Sequence, residues 1–163
     1  MVDVMSGARR SALMSRIRAR DTKPELCVRH YLWRAGFRYR LYPRDLPGKP
    51  DLVLPKWRKV VLVHGCFWHR HVDCPCFRLP KTRALFWDEK LRKNRRRDLL
   101  VIDRLVADDW KVAVVWECAV RLDSDRTGAR LAEWLVHGKG NLEVDGSTGR
   151  IRARRLASTS PSL

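Results

Sequence analysis

Between Val63 and Cys74 the chain reads Val-His-Gly-Cys-Phe-Trp-His-Arg-His-Val-Asp-Cys, which packs three histidines, two cysteines and two adjacent aromatics into one short stretch. Cys66, His71 and Cys74 offer soft and borderline ligands at Cys-x4-His-x2-Cys spacing, which suits a single zinc ion. Cys76 is a possible substitute for Cys74, and Cys118 is a candidate fourth ligand. Cys76 stands in the irregular run 75–80, and Cys118 closes a later apolar strand, where a buried inert cysteine is the other reading. His64 and His69 are left over for other work. Phe67 and Trp68 fill loop positions that ordinarily carry polar residues, so the stretch reads as a metal-stapled loop presenting a histidine and an aromatic pair to a partner.

Carboxylates elsewhere in the chain are candidates to join that loop. Asp51 follows Pro50 and opens an apolar run; it serves either as turn chemistry or as a metal-binding carboxylate opposite the histidine-rich loop. Glu25 follows Thr22-Lys23-Pro24, where it either closes a capping box or points a carboxylate into a site at the helix start. Asn94 and Asp98 share a helix face with Trp87, Leu91, Ile102 and Leu105, and polar groups on an inward stripe are costly unless hydrogen-bonded or functional.

The elements that must position these groups follow from periodicity. A helix starts at the Thr22 cap, buries Val28, Leu32 and Ala35, and stops at Gly36. Residues 37–42 alternate as a half-buried strand. Residues 51–54 and 59–63 read as a hairpin, which sets Asp51 beside Val63 and His64. A long helix covers 82–107, a strand 111–116, and a last helix 126–136. The strand–helix–strand unit needs a right-handed crossover, so the expected fold is α/β with a central mixed sheet. The predicted organisation is a basic N-terminal arm over 1–20, one domain over 21–137 and a largely flexible tail over 138–163. Met14, on the arm, is either a core residue or an apolar wedge of the kind that separates base steps.

Composition narrows the partner. The 163 residues carry a formal charge of +17, with a pI near 10.7, which points to a polyanion and to nucleic acid first. Lys90, Arg92, Lys93, Arg95, Arg96 and Arg97 crowd the long helix and are candidates for phosphate contact. No run approaches the length of a membrane helix and no secretory signal opens the chain. Five cysteines in an unexported chain stay reduced, so a bacterial cytoplasmic, nucleoid-associated location is expected.

Leu46-Pro47-Gly48-Lys49-Pro50-Asp51, His64-Gly65-Cys66-Phe67-Trp68-His69-Arg70-His71, Phe86-Trp87-x-x-Lys90 with Asn94 and Asp98, and Val115-Trp116-Glu117-Cys118 together resemble the very-short-patch-repair (Vsr) mismatch endonucleases. The resemblance spans roughly residues 11 to 136. It implies a restriction-endonuclease-like fold and a magnesium-dependent enzyme that nicks double-stranded DNA beside the thymine of a T:G mismatch. That mismatch arises from deamination of 5-methylcytosine. It also implies a monomer that works alongside mismatch-repair proteins. By the same resemblance, Asp51 is a magnesium ligand, joined by the backbone carbonyl of Val63. His69 is the general base, supported by His64 and Glu25 and oriented by Asp98. Zinc sits among Cys66, His71, Cys74 and Cys118. Phe67, Trp68 and Trp87 intercalate beside the mismatch, with Met14 entering from the opposite groove.

The strand after Asp51 reads Val61-Leu62-Val63 and lacks the acidic residue and lysine that related nucleases place there, which leaves base duty to histidine. Val63 replaces the threonine common in relatives. Asp73 is an additional residue before the next cysteine, which keeps Cys76 in contention. Two other functions are compatible with the chemistry: a non-catalytic zinc-stapled DNA-binding module, and a restriction-type nuclease acting on intact duplex.

Overall fold

The computed structural model describes residues 19–156. Helix α1 (Lys23–Arg34) leads to a hairpin of β1 (Leu52–Leu54) and β2 (Lys59–His64), joined by a short 3-10 turn. Helix α2 (Ala84–Ala107), strand β3 (Lys111–Trp116), helices α3 (Glu117–Leu122) and α4 (Ser124–His137), and strands β4 (Leu142–Asp145) and β5 (Arg152–Arg155) complete the chain. The five strands form one sheet in chain order, β1-β2-β3-β4-β5. The β1–β2 and β4–β5 pairs are antiparallel, while β2–β3 and β3–β4 are parallel.

That mixture follows from the connections. A four-residue connection can only return a strand antiparallel, whereas α2 and the α3–α4 pair carry the chain back across the sheet for parallel entry. All six residues of β2 are buried, as expected of a strand covered on both faces. On one face Val28 and Leu32 of α1 and Leu131 and Leu135 of α4 pack with Leu52, Leu54, Val61, Val63, Val115 and Val144. On the other, Ile102 and Leu105 of α2 pack with Val60, Leu62, Val112, Val114 and Trp116, and this cluster continues into Cys66, Cys74 and Cys118. The site-bearing loop is thus an extension of the second core.

Two local devices fix the framework. The Lys59 ammonium is buried and donates to the carbonyls of Trp134, Leu135 and Gly138 at 2.7, 3.0 and 2.8 Å, closing the C-terminal end of α4. Gly48 lies against α2 with φ at +69°, where a Cβ would come within 2.4 Å of a Val101 methyl. The loop carrying Pro50 and Asp51 can therefore seat on the helix only through a glycine.

The helix over 82–107, the hairpin and the strand over 111–116 form as the periodicity predicts. Two expectations are corrected. Residues 37–42 do not form a strand; a single bridge joins Arg40 to Val53, because Tyr42 turns to φ +45° and Pro43 follows. The segment assigned to the tail contains β4 and β5, so among the described residues the sheet runs through 155. Arg152, Ala153, Arg154 and Arg155 lack an apolar alternation, and only pairing with β4 makes them a strand. Met14 and the rest of the N-terminal arm through residue 18 lie outside the described residues, as do residues 157–163.

Candidate active site and metal centre

Strands β2 and β3 run parallel and pair His64 with Trp116 at their C-terminal ends, so the histidine-rich loop and the Glu117–Cys118 corner emerge side by side. Backbone turns fold the loop tightly: His69 N–H donates to the Gly65 carbonyl at 3.1 Å and His71 N–H to the Cys66 carbonyl at 2.9 Å. Two outside groups pin it. Cys66 N–H donates to Glu117 Oε2 at 3.2 Å, and Asn94 Nδ2 on α2 donates to the Trp68 carbonyl at 3.2 Å. Asn94, costly on an inward stripe, is satisfied by holding the loop.

A cleft of about 900 Å³ opens beside the loop, and Glu25, Asp51, His64, His69 and Asp98 all line it. Asp98, almost fully buried on α2, meets His69 with Oδ2 and Nδ1 2.6 Å apart. The His64 ring stacks on His69 at 3.9 Å and 3° between planes. Burial, then the nearby His69 and Arg95, drive the His64 pKa well below its ordinary value, so this imidazole is neutral. Its Nδ1 is buried with no hydrogen-bond partner among the described residues.

Asp51 enters the cleft from the hairpin. Its Oδ2 accepts the Val63 N–H at 2.7 Å, which realises the side-by-side placement read from the hairpin. Removal from water raises its carboxyl to about 7; the Glu25 charge adds to the rise and the Val63 N–H opposes it. A carboxylate in that position gains most from a cation.

Glu25 serves the cap and the cleft together. Thr22 Oγ1 accepts the Glu25 N–H at 3.5 Å and donates to Glu25 Oε1 at 2.9 Å. Its other oxygen accepts from Arg29 Nη2 at 2.9 Å, from the Asp21 N–H at 3.0 Å and from the Tyr42 hydroxyl. The sequence reading missed Arg29 and Tyr42. Arg29 lies one turn after Glu25, a signal available in the sequence, but Tyr42 reaches the site only through the turn that ends residues 37–42.

The second cluster is a candidate metal centre. The donor atoms of Cys66, His71, Cys74 and Cys118 all lie within 4.8 Å of one another, and all four residues are buried. Cys66 and Cys74 sulfurs are 3.8 Å apart, and His71 Nδ1 is 3.5 Å from Cys66 Sγ and 3.6 Å from Cys118 Sγ. A tetrahedral site with metal–sulfur bonds near 2.3 Å and metal–nitrogen bonds near 2.0 Å requires separations of about 3.8 and 3.6 Å. These residues therefore fit a four-coordinate metal ion. The thiols share charge unevenly: hydrogen bonding with Cys66 pulls Cys118 down to about 4, while the same contact and burial push Cys66 up. Cys76 is exposed and outside the cluster, as is Cys27, so it is Cys74 and not Cys76 that gathers with Cys66, His71 and Cys118. The His71 ring lies flat on Trp116, 3.9 Å away.

Phe67, Trp68 and Trp87 form a third group with centroid separations of 5.1, 5.5 and 6.1 Å in edge-on contact. Phe86, which the sequence reading quoted only for its motif, extends the group 5.5 Å beyond Trp87. None of these rings belongs to either buried core cluster, so the aromatic pair is not a core plug. Lys90 Nζ stands 5.3 Å from the Trp87 ring. Along α2, Arg92 pairs with Asp88 and Lys93 with Glu89, while exposed Arg96 forms no ion pair among the described residues.

A desolvated carboxylate and a carboxylate-oriented imidazole share one open cleft, beside a basic helix and a group of half-buried aromatics: this is the equipment of a nuclease. Comparison with known proteins gives the family. The DNA mismatch endonuclease Vsr family matches residues 2–75. DNA mismatch endonuclease Vsr of Escherichia coli K12 is 40% identical over 149 residues, covering 89% of this chain and 95% of that protein. Type II nicking enzyme V.XorIIP of Xanthomonas oryzae pv. oryzae is 48% identical over 118 residues, covering 72% and 86%. Type II nicking enzyme V.NmeAIP of Neisseria meningitidis is 43% identical over 121 residues, covering 74% and 86%. The chain belongs to the Vsr DNA mismatch endonuclease family and is an endonuclease acting on DNA. No helix among the described residues is long and apolar enough to cross a membrane.

Proposed function

We propose that this endonuclease nicks one strand of duplex DNA beside the thymine of a T:G mismatch left by deamination of 5-methylcytosine. Magnesium would be held by Asp51 and the Val63 carbonyl, and zinc by Cys66, His71, Cys74 and Cys118. The observation that carries the reading is the His69–Asp98 pair opening onto the cleft that Asp51 lines. The hairpin that delivers Asp51 and the parallel strands beside it favour a restriction-endonuclease-like core.

With Asp98 accepting the Nδ1 proton, His69 presents an unprotonated Nε2 that can take a proton from water, and Asp98 then stabilises the imidazolium. Neutral His64 supports the ring face without adding a competing charge. Glu25, clamped by Thr22, Arg29 and Tyr42, is fixed at the cleft wall to orient water. A strand residue turns its N–H and C=O to the same side. The Val63 N–H already reaches Asp51, so its carbonyl faces the same space. Magnesium, when bound, neutralises charge developing on the phosphate.

Phe67, Trp68 and Trp87 would enter the base stack, with Met14 meeting them from the other groove. A wobble pair stacks less well than a matched pair, so insertion there costs less unstacking energy. The enzyme would act as a monomer in the bacterial cytoplasm, alongside mismatch-repair proteins.

The test compares nicking of matched and T:G duplexes with and without magnesium. Nicking of the mismatched duplex alone, and only with magnesium, is expected. Equal cutting of the matched duplex would favour a restriction-type nuclease, and binding without nicking a zinc-stapled binding module.

A further inference from the structure

The turn between β4 and β5 reaches back into the metal centre. Strand β4 pairs in parallel with β3, Val144 opposite Val115, so its end meets the corner where α3 begins with Glu117 and Cys118. There the buried Gly146 N–H donates to Cys118 Sγ across 3.3 Å. This contact requires glycine. A Cβ at position 146 would stand 2.9 Å from the Cys118 carbonyl oxygen, 3.0 Å from Ala119 Cα and 3.1 Å from Ala119 N. All three are backbone atoms, so a larger residue must move the turn.

The neighbouring residues hold the amide in that direction. Asp145, 1% exposed, accepts at Oδ1 from the Ser147 N–H at 3.1 Å and the Ser147 hydroxyl at 2.6 Å. Gly149 N–H closes the turn on the Gly146 carbonyl at 3.0 Å. Beyond the turn, Arg154 of β5 is 2.9 Å from Glu143 and 3.7 Å from Asp145, and Glu143 accepts from Trp116 Nε1 at 2.8 Å. Trp116 is the ring on which His71 lies. Two routes, one through an amide and one through a ring, therefore connect the C-terminal hairpin to two of the four metal-binding residues.

We propose that the β4–β5 turn is part of the metal centre, the Gly146 amide acting as a positioning donor to the Cys118 thiolate and coupling the order of the C-terminal hairpin to metal occupancy. The inference rests on the metal reading above. An N–H directed at a ligating sulfur withdraws charge from it and fixes its lone pairs, and loss of such a partner costs roughly tenfold to a hundredfold in metal affinity. Occupancy in turn fixes Cys118 and with it the far side of the turn.

The wild-type chain, loaded with cadmium-113, tests this directly. The Gly146 amide proton is expected to show scalar coupling to the metal and slower solvent exchange than in the metal-stripped chain. In parallel, folded Gly146→Ala protein should release zinc to a chromophoric chelator at least about tenfold faster than wild type. A Gly146 amide with neither coupling nor slowed exchange overturns the proposal, as does zinc release from folded Gly146→Ala at the wild-type rate. If the variant does not fold, the wild-type amide alone decides. A wild-type chain that takes up neither cadmium nor zinc overturns the metal reading itself, a result distinct from failure of the turn's role.

Discussion

His69 Nδ1 and Asp98 Oδ2 lie 2.6 Å apart, joining the loop that follows β2 to the middle of a 24-residue helix. In the proposed mechanism an ionised Asp98 accepts the Nδ1 proton and so leaves Nε2 as the basic nitrogen. Replacing Asp98 with Asn should therefore lower single-turnover nicking by about 10² to 10⁴ while DNA affinity stays within a few-fold of wild type. Near-normal nicking by this variant would remove His69 from the role of base.

Asp51→Asn should abolish nicking and yet stabilise the magnesium-free protein. The Asp51 carboxyl is raised to about 7 in the fold from an ordinary 3.8, so the folded state holds its proton more tightly than the unfolded chain. Stability is accordingly lost as pH rises from about 4 to 7, and the loss is complete above that window. The gain from asparagine should be small at pH 4, grow through pH 7 and level off near about 2 kcal/mol once screening in an open cleft is allowed for. Melting curves of both proteins across that range give the answer, and a pH-independent difference would contradict it.

Trp68→Ala should reduce the preference for mismatched over matched duplex with little change in melting temperature. The ring touches Phe67 and Trp87 edge-on and belongs to neither core cluster. Its loss forfeits about 1 to 2 kcal/mol of aromatic contact. A collapse in melting temperature with unchanged mismatch preference would assign the ring to folding instead.

Protein purified without added zinc should carry about one equivalent per chain. Cys118→Ser should lose zinc and stability together, whereas Cys27→Ser and Cys76→Ser should keep both, since those two thiols are exposed and outside the cluster. Retention of a full equivalent by Cys118→Ser would remove Cys118 from the metal-binding set.

Much of the site was legible because its signals are local. Cys66, His71 and Cys74 fall within one loop, Asp51 and Val63 within one hairpin, and Leu91, Asp98, Ile102 and Leu105 on one stripe of one helix. Such relationships depend only on the short-range geometry of turns, strands and helices. Three decisions were not local. Cys118 joins Cys66, His71 and Cys74 because parallel pairing of β2 with β3 delivers it to the loop. Tyr42 meets Glu25 because the chain turns where a strand was expected. Residues 152–155 become a strand because β4 offers an unpaired edge. Without it, four polar and small residues have no reason to extend, and Gly146 has no thiol to face. The sequence by itself determined which chemistry is present and on which short elements it rides. Which of those groups meet was decided by the tertiary structure, since contacts between strands distant in the chain depend on packing that no local window contains.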